Sequence, residues 1–417
     1  MTETEDDART AASSGAVSNA DGAVVAERRR TRIALVIDSH WEALMGGAQY
    51  QARCLLELLR PRRDVEILFV TRNAPENRER DGYRIVTFGS SGNQGRLRML
   101  LDLPSLVRTL RELEPDVVYQ RCLMPFTGAC AWYCRGHGAK LVYHVASDRD
   151  VEKAVPFEWS RYGLVKWVAR RVGLYGMRRA DAIVAQTEQQ ARMLKSAHGL
   201  DATLVVRNFQ PIPDLCRSAE EPARVRVVWI ANFKPLKRPE VFVDLAEALS
   251  HRDDVEFVMI GRPGPRARFG ALHERIARLS NLRYLGELPI EQVERELEAS
   301  DLLVNTSLWE GFPNTFIQAW LRGVPVVSCF VDPDGCLSRG GAGVFVGSDE
   351  RLVDAVASLL HDRTRLRELG RAARAYAVRH HSPESALPLV ELLTAPERLR
   401  KNALEPVLAN RVGAKVR

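Results

Sequence analysis

The sequence predicts an α/β protein of two doubly wound parallel-sheet domains facing across a cleft. Three observations carry that expectation. The chain has 417 residues, long enough for two domains with a core each. Short apolar runs bounded by polar turns alternate with helical patterns along most of it, the signature of parallel strands joined by crossover helices. A polar stretch with Pro211, Pro213 and Pro222 near the middle divides that alternation into two runs.

The first run opens at Arg32–Asp38 (RIALVID), a compact apolar strand. A polar loop, Ser39–Met45, leads to Gly46-Gly47 and a helix through Leu59 that ends at Pro61. Further strands are expected at Val65–Thr71, Tyr83–Phe88, Asp116–Arg121, Lys140–Ala146, Ala182–Gln186 and Ala202–Arg207. Helices lie between most of them, including Leu103–Leu113 and Glu188–Ala197. The segment Asn208–Glu221 reads as the interdomain linker. The second run begins at Val225–Ala231 (VRVVWIA). Its first helix starts at Pro239, a favoured first helical position, with Val241, Leu245 and Leu249 as its apolar stripe. Strands follow at Val255–Ile260, Leu282–Leu285, Leu302–Asn305, Val324–Ser328 and Gly343–Val346, and helices reach as far as His380. The expected units are a disordered lead-in (1–30), a first domain (31–212), a second domain (213–378) and a C-terminal helix and tail (379–417) able to pack back towards the first domain.

Composition excludes several function classes. An apolar fraction of 46% and a charged fraction of 27% are ordinary for a soluble globular chain. No run approaches the roughly 18 uninterrupted apolar residues of a membrane span. The first 30 residues lack an apolar core ahead of a cleavage site and are expected to be disordered, not a signal peptide. The seven cysteines are odd in number and lack CxxC spacing, which argues for buried free thiols in a reducing cytoplasm and against a zinc site. The net charge of +7 is spread through the αβ units without interleaved stacking aromatics, so an anionic small molecule or a membrane surface fits better than nucleic acid.

The densest chemistry lies in Glu310–Trp320 (EGFPNTFIQAW), just after the strand pattern Asp301–Ser307 (DLLVNTS). Strand, polar loop and helix N-terminus together form the usual site for a phosphorylated ligand at the open end of an α/β sheet. Phosphate pockets normally avoid negative charge, so Glu310 is better suited to gripping hydroxyls. Sugar plus diphosphate is the ligand that satisfies both. Asn314 is expected to cap the helix, leaving the amides of Thr315, Phe316 and Ile317 for an anion. Gln318 lies one turn on and leans back towards the same ligand, and Gly323 closes the helix. In the second domain's first turn, Asn232–Pro239, Lys234, Lys237 and Arg238 supply fixed positive charge for a departing diphosphate. On the first domain, Gly46 and Gly47 are expected to allow φ > 0 and close backbone approach. His144, and Tyr119, Gln120 and Arg121, stand at strand ends where such sheets present ligand contacts.

With these segments the chain resembles glycosyltransferase family 4, the retaining nucleotide-sugar enzymes of GT-B fold with two Rossmann-like domains. The resemblance spans roughly residues 32 to 385 and rests on Gly46-Gly47, Asn208, the Asn232–Pro239 loop and the Glu310–Gln318 segment. It implies that Glu310 contacts the donor sugar, that Lys237 holds the diphosphate, and that His144 contacts the sugar, these three forming the catalytic set. It extends the donor-binding set to Gly46, Gly47, Asn232, Gly311, Phe312, Pro313, Asn314, Thr315 and Gln318. Two departures stand out. The family's second glutamate, which binds the ribose diol, is Gln318 here, and the arginine five positions before the lysine is Asn232. Lys234 or Arg238 is the candidate replacement for that arginine.

The resemblance further implies glycosyl transfer to a hydroxyl acceptor (a glycan, a lipid-linked glycan or a small glycoside) in bacterial polysaccharide or glycoconjugate biosynthesis, with no cofactor beyond the nucleoside-diphosphate sugar. No metal is expected, since Asp148-Arg-Asp150 has Asp-x-Asp spacing but lies in the first domain, away from the donor phosphates. Base contacts are expected near Gly286–Pro289 or Gly261. Two other functions remain open: a nucleotide-sugar epimerase of the same shape, and a catalytically silent sugar-nucleotide binder, which Gln318 keeps in play. The segment Arg161–Arg179 carries Arg161, Lys166, Arg170, Arg171, Arg178 and Arg179, with Leu164, Trp167, Val168, Val172 and Tyr175 at helical spacing. It reads either as an ordinary domain helix with its apolar stripe in the core, or as a basic amphipathic face lying on anionic lipid at the inner side of the plasma membrane.

Overall fold

The computed structural model describes residues 29–75, 78–90, 95–153, 160–214 and 224–399. The lead-in as far as residue 28, Cys216, residues 215–221 of the expected linker and the tail from residue 400 lie outside the described residues. The first half runs β1 (Thr31–Val36), α1 (Gly47–Leu59), β2 (Val65–Thr71), β3 (Glu79–Arg80), β4 (Tyr83–Thr87), α2 (Arg96–Leu101), α3 (Leu103–Leu113), β5 (Val117–Arg121), α4 (Pro125–His137), β6 (Lys140–His144), α5 (Asp148–Val151), α6 (Arg161–Met177), β7 (Ala182–Ala185), α7 (Glu188–His198) and β8 (Leu204–Val205). The second half runs β9 (Val225–Ile230), α8 (Pro239–Ala248), β10 (Val255–Ile260), α9 (Arg266–Arg278), β11 (Leu282–Tyr284), α10 (Ile290–Glu298), β12 (Leu302–Asn305), α11 (Asn314–Leu321), β13 (Val326–Ser328), β14 (Gly343–Phe345), α12 (Leu352–His361), α13 (Arg363–His381) and α14 (Leu387–Thr394).

The strands form two sheets, ordered β3-β4-β2-β1-β5-β6-β7-β8 and β11-β10-β9-β12-β13-β14. Every pairing is parallel except the short β3 against β4. Helices cover both faces, which is why strands such as β5 (VVYQR) and β12 (LLVN) are buried at every position and read as runs without alternation. In each sheet the chain reverses its direction of growth beside the first strand. β1 lies between β2 and β5, and β9 lies between β10 and β12. The crevice at such a switch point is where open α/β sheets bind ligands. It selects the loops after β1, β9 and β12, the three that hold Gly46-Gly47, Lys237 and Glu310.

Helix α6 divides the apolar stripe between the two readings of this segment. Its inner face is made by small residues that let it approach α4 closely. A Cβ on Gly176 would meet the Thr127 carbonyl oxygen at 2.2 Å, and one on Gly128 would meet that of Val172 at 2.4 Å. Ala169, Leu174 and Met177 complete the buried side. The larger apolar residues therefore turn outward: Leu164 is 50% exposed, Trp167 40%, and Tyr162 is also open to solvent. The expected stripe is therefore split: Leu164 and Trp167 face water, whereas Val168, Val172 and Tyr175 are half-buried, Val172 lying against Gly128 and Tyr175 packing on the core beneath α4.

The end of the described chain crosses back to the first sheet. Ala386, Leu389, Val390, Leu392, Leu393 and Leu399 share one apolar core with Ile33, Leu35, Leu55 and Leu59. The two halves also meet through Asp334, in the left-handed region at φ 53°, whose carboxylate accepts the Glu188 and Gln189 amides (2.9 and 3.0 Å) at the start of α7. The residues read as the start of a linker are a buried junction. Asn208 Oδ1 accepts from Arg121 (2.7 Å), its Nδ2 donates to the Phe312 carbonyl oxygen (2.8 Å), and its own carbonyl accepts from His381 Nδ1 (2.7 Å).

Candidate functional site

Between the sheets lies a cleft of about 1260 Å³, lined from both halves. Among the expected site residues, Gly46, Gly47, Asn232, Lys237, Glu310, Pro313, Asn314, Thr315 and Gln318 line it. Lys234, Gly261, Glu287, Leu288 and Pro289 do as well. Residues distant in sequence thus meet on one surface because the loops after β1, β9 and β12 open on the same side.

The two loops of the second half are bonded to each other. The Leu308 amide donates to the Leu236 carbonyl (3.0 Å), and Thr306 Oγ1 donates to the carbonyl of Lys237 (2.6 Å) while accepting from Trp229 Nε1 (2.9 Å). These bonds fix the backbone that carries Lys237. Its ammonium forms an ion pair with Glu310 Oε1, and Ser307 Oγ donates to the same oxygen (2.8 Å). The pair is mostly enclosed, with the side chains 21% and 17% exposed. Thr306 and Ser307 were not singled out from sequence. The signal was present, since two hydroxyls follow directly on an apolar strand at its carboxyl end.

Three expectations about local geometry are corrected. Asn314 does not cap α11; Pro313 occupies that place, and the Phe316 amide already donates to the Pro313 carbonyl (3.2 Å). The Asn314 side chain instead joins the halves. Its Oδ1 accepts from Gln51 (2.9 Å) and Asn208 (3.2 Å), and its Nδ2 donates to the Gly47 carbonyl (3.1 Å). Secondly, neither Gly46 nor Gly47 adopts positive φ. Gly46 is extended at φ −154°, and the glycines serve close approach: a Cβ on Gly47 would come within 3.2 Å of Asn314 Nδ2. Thirdly, His144 is 1% exposed and lies outside the cleft lining. Its Nδ1 accepts from the Tyr119 hydroxyl (2.8 Å) and Arg121 (3.1 Å), and burial with the Arg121 charge holds its pKa well below the ordinary range. Tyr119, Gln120 and Arg121 are buried with it.

Gly311 and Phe312 also stand behind the lining. Gly311 packs on the other half, where a Cβ would meet the Ala146 carbonyl at 2.9 Å, and Phe312 packs against His381 and Trp320. Gln318 is buried and contacts the Tyr50 hydroxyl of α1. Of the two candidate replacements for a missing arginine, Lys234 lines the cleft. Arg238, in the left-handed region at φ 53°, pairs with Asp349 and stacks on Phe330. Asn232 Oδ1 accepts the Arg262 amide (2.9 Å), so it braces the loop after β10. In the first half, Asp150 accepts the Ala146 amide (2.8 Å) and Asp148 accepts from Gln190 (2.9 Å), so both carboxylates are engaged locally.

Comparison with known proteins agrees with this arrangement. The family described as Glycosyltransferase Family 4 matches residues 45–209, and Glycosyl transferases group 1 matches residues 224–362. A D-inositol 3-phosphate glycosyltransferase of Nocardia farcinica is 30% identical over 238 residues, 52% of this chain and 53% of that protein. The chain spans about half the length of the first curated relatives it matches. A GDP-mannose-dependent alpha-mannosyltransferase of Mycobacterium tuberculosis is 27% identical over 363 residues, 80% of this chain and 89% of that protein. Among solved structures, Anabaena HepE in complex with UDP-glucose superposes with a TM-score of 0.66 at 19% identity, covering 88% of this chain and 100% of that one. That likeness is one of fold, and the fold is GT-B.

Proposed function

Because the chain belongs to glycosyltransferase family 4, we propose that it transfers a glycosyl group from a nucleoside-diphosphate sugar to a hydroxyl acceptor bound in the same cleft. The observation that carries this reading is the pairing of Lys237 with Glu310 on two tied loops at the switch point of the second sheet. A cation suits the diphosphate leaving group, and a carboxylate a few ångströms away suits the sugar hydroxyls. Together they favour a state in which the sugar gains positive character while the diphosphate gains negative charge. Lys234 adds charge to the same wall, and Gln318 offers its amide to the ribose. The reading needs no metal. One relative is a GDP-mannose-dependent mannosyltransferase, and UDP-glucose occupies a structure of the same fold, so both bases belong in the first trial. A thermal-shift panel of nucleoside diphosphates and their sugars tests the binding half. A true ligand at a hundredfold excess over its dissociation constant raises stability by about 2.7 kcal/mol. A panel with no stabilising member rejects the reading.

The acceptor we favour is lipid-linked, supported by the outward face of α6. There Lys166 lies 4.4 Å from the Tyr162 ring centre, Arg171 5.0 Å from that of Trp167 and Arg179 4.0 Å from that of Tyr175. Aromatic rings alternating with cations suit the headgroup layer of an anionic membrane. Arg170 donates to the carbonyls of Arg149 (3.1 Å) and Glu152 (2.6 Å), and the Arg149 guanidinium lies 4.8 Å from the ring centre of Trp309, the chain neighbour of Glu310. No helix among the described residues is long and apolar enough to cross a membrane. The expected result is co-sedimentation with phosphatidylglycerol vesicles at low salt, and its loss in a Trp167→Ala, Arg171→Ala variant. Equal recovery with purely zwitterionic vesicles contradicts it.

A further inference from the structure

The contact between Lys237 and Glu310 poses a chemical problem for the function just proposed. The ammonium assigned to the diphosphate is already satisfied by a carboxylate, in a place where only about a fifth of either side chain meets water. Opposite charges at contact in such an environment cancel much of each other's field. The contact is built in, because Thr306 holds the Lys237 backbone and Ser307 aims Glu310 by donating to the oxygen that Lys237 also uses. A diphosphate arriving alone must therefore compete with Glu310 for Lys237, or leave the carboxylate enclosed without its cation. Either course weakens binding.

An intact sugar nucleotide meets no such conflict. Its sugar hydroxyls donate to Glu310, as Lys237 did before, and the ammonium turns to the phosphates. Both partners of the resting pair gain a new partner at once. After transfer the sugar departs with the acceptor, the hydroxyl donors are gone, and Glu310 reclaims Lys237. We infer that Glu310 is a discriminating element that makes this cleft bind the sugar-bearing donor in preference to the spent nucleoside diphosphate, and so helps to expel the product. This rests on the reading of the cleft as a sugar-nucleotide site. It adds to that reading a role for Glu310 towards a ligand that carries no sugar.

Calorimetric titration of two ligand pairs, UDP with UDP-glucose and GDP with GDP-mannose, tests the inference on the wild-type chain and on Glu310→Gln. Glutamine keeps the shape of the side chain and removes its charge. The expected result is that the diphosphate of whichever pair binds gains roughly five-fold or more in affinity in the variant, the scale of a close charge pair. The sugar nucleotide gains nothing or weakens, so the ratio between the two ligands moves towards the product. Circular dichroism checks that the variant is folded. Should it not fold, Glu310→Asp shortens the reach to Lys237 and is expected to shift the ratio in the same direction by less. A diphosphate affinity that is unchanged or weaker in a folded variant overturns the inference while leaving the donor site standing. If neither pair binds the wild-type chain at millimolar concentration, the donor site and this inference fall together.

Discussion

Replacement of Glu310 by alanine is expected to lower sugar-nucleotide turnover by about a hundred-fold or more, a barrier increase of about 2.7 kcal/mol. The size follows from where the carboxylate stands. It is the acidic group beside Lys237 at the end of β12, held by Ser307, on a loop bonded to the loop after β9. In the proposed function alanine removes the acceptor for the sugar hydroxyls, and with it the orientation of the reacting carbon against the diphosphate. The fall should appear chiefly in kcat, because the diphosphate and base contacts that dominate binding remain. Initial rates of nucleoside diphosphate release, measured beside a thermal melt, separate this from a loss of fold. A variant that retains wild-type turnover removes Glu310 from the chemistry.

The largest expected effect on stability lies elsewhere, at Arg72. This guanidinium is buried in the first half between Asp38 (3.4 Å) and Asp102 (3.0 Å), and neither carboxylate is open to solvent. Burial raises the pKa of Asp38 above its ordinary 3.8, while Arg72 opposes that rise. Arg72→Met keeps a long chain in the space but removes the guanidinium from buried Asp38 and leaves Asp102 with only the longer contact to Arg98 (3.6 Å). Breaking a buried pair from one side costs about 3–5 kcal/mol. Urea unfolding at neutral pH should report a loss of that order. The sign with pH is also fixed. Without Arg72 the folded-state pKa of Asp38 rises further above its unfolded value, so the native state holds a proton that the unfolded chain has released. The variant therefore loses stability as pH rises from about 3.8 through the raised value, and its deficit is smallest on the acid side of that window. A deficit that grows on acidification contradicts this.

Much of the fold was legible because the local pattern and the tertiary outcome agree. The runs at Val65–Thr71, Val255–Ile260 and Leu302–Asn305 became strands at those residues, since each is a compact apolar segment bounded by turn residues. The helix Leu103–Leu113 was equally clear. The misreadings share a cause, which is a partner remote in sequence. Asn314 looks like a cap when only its neighbours are considered, yet its side chain is taken by Gln51, Asn208 and Gly47 from the other half. His144 was correctly set at the end of a strand, but its burial depends on Tyr119 and Arg121 of the adjacent strand and on the closing of Asn208 over them. In α6, periodicity alone did not say which of the large apolar residues would reach the core, and the structure exposes Leu164 and Trp167 while half-burying Val172 and Tyr175. Glycines carry no hydrophobic signal, although Gly128, Gly173 and Gly176 decided which side could approach α4. That Lys237 and Glu310 would line the cleft was legible because both sit in polar loops after apolar strands, where the switch-point rule leaves few alternatives.

Release of free nucleoside diphosphate from UDP-glucose and GDP-mannose, followed for the wild-type chain and Lys237→Ala side by side, tests the central claim most directly. In the proposed function Lys237 is the cation that meets the diphosphate leaving group. The expected result is release from one of the two donors by the wild-type chain, and at least about a hundred-fold less by the folded variant, the scale of losing a charge-stabilising contact to the leaving group. Release by Lys237→Ala at the wild-type rate would contradict the account.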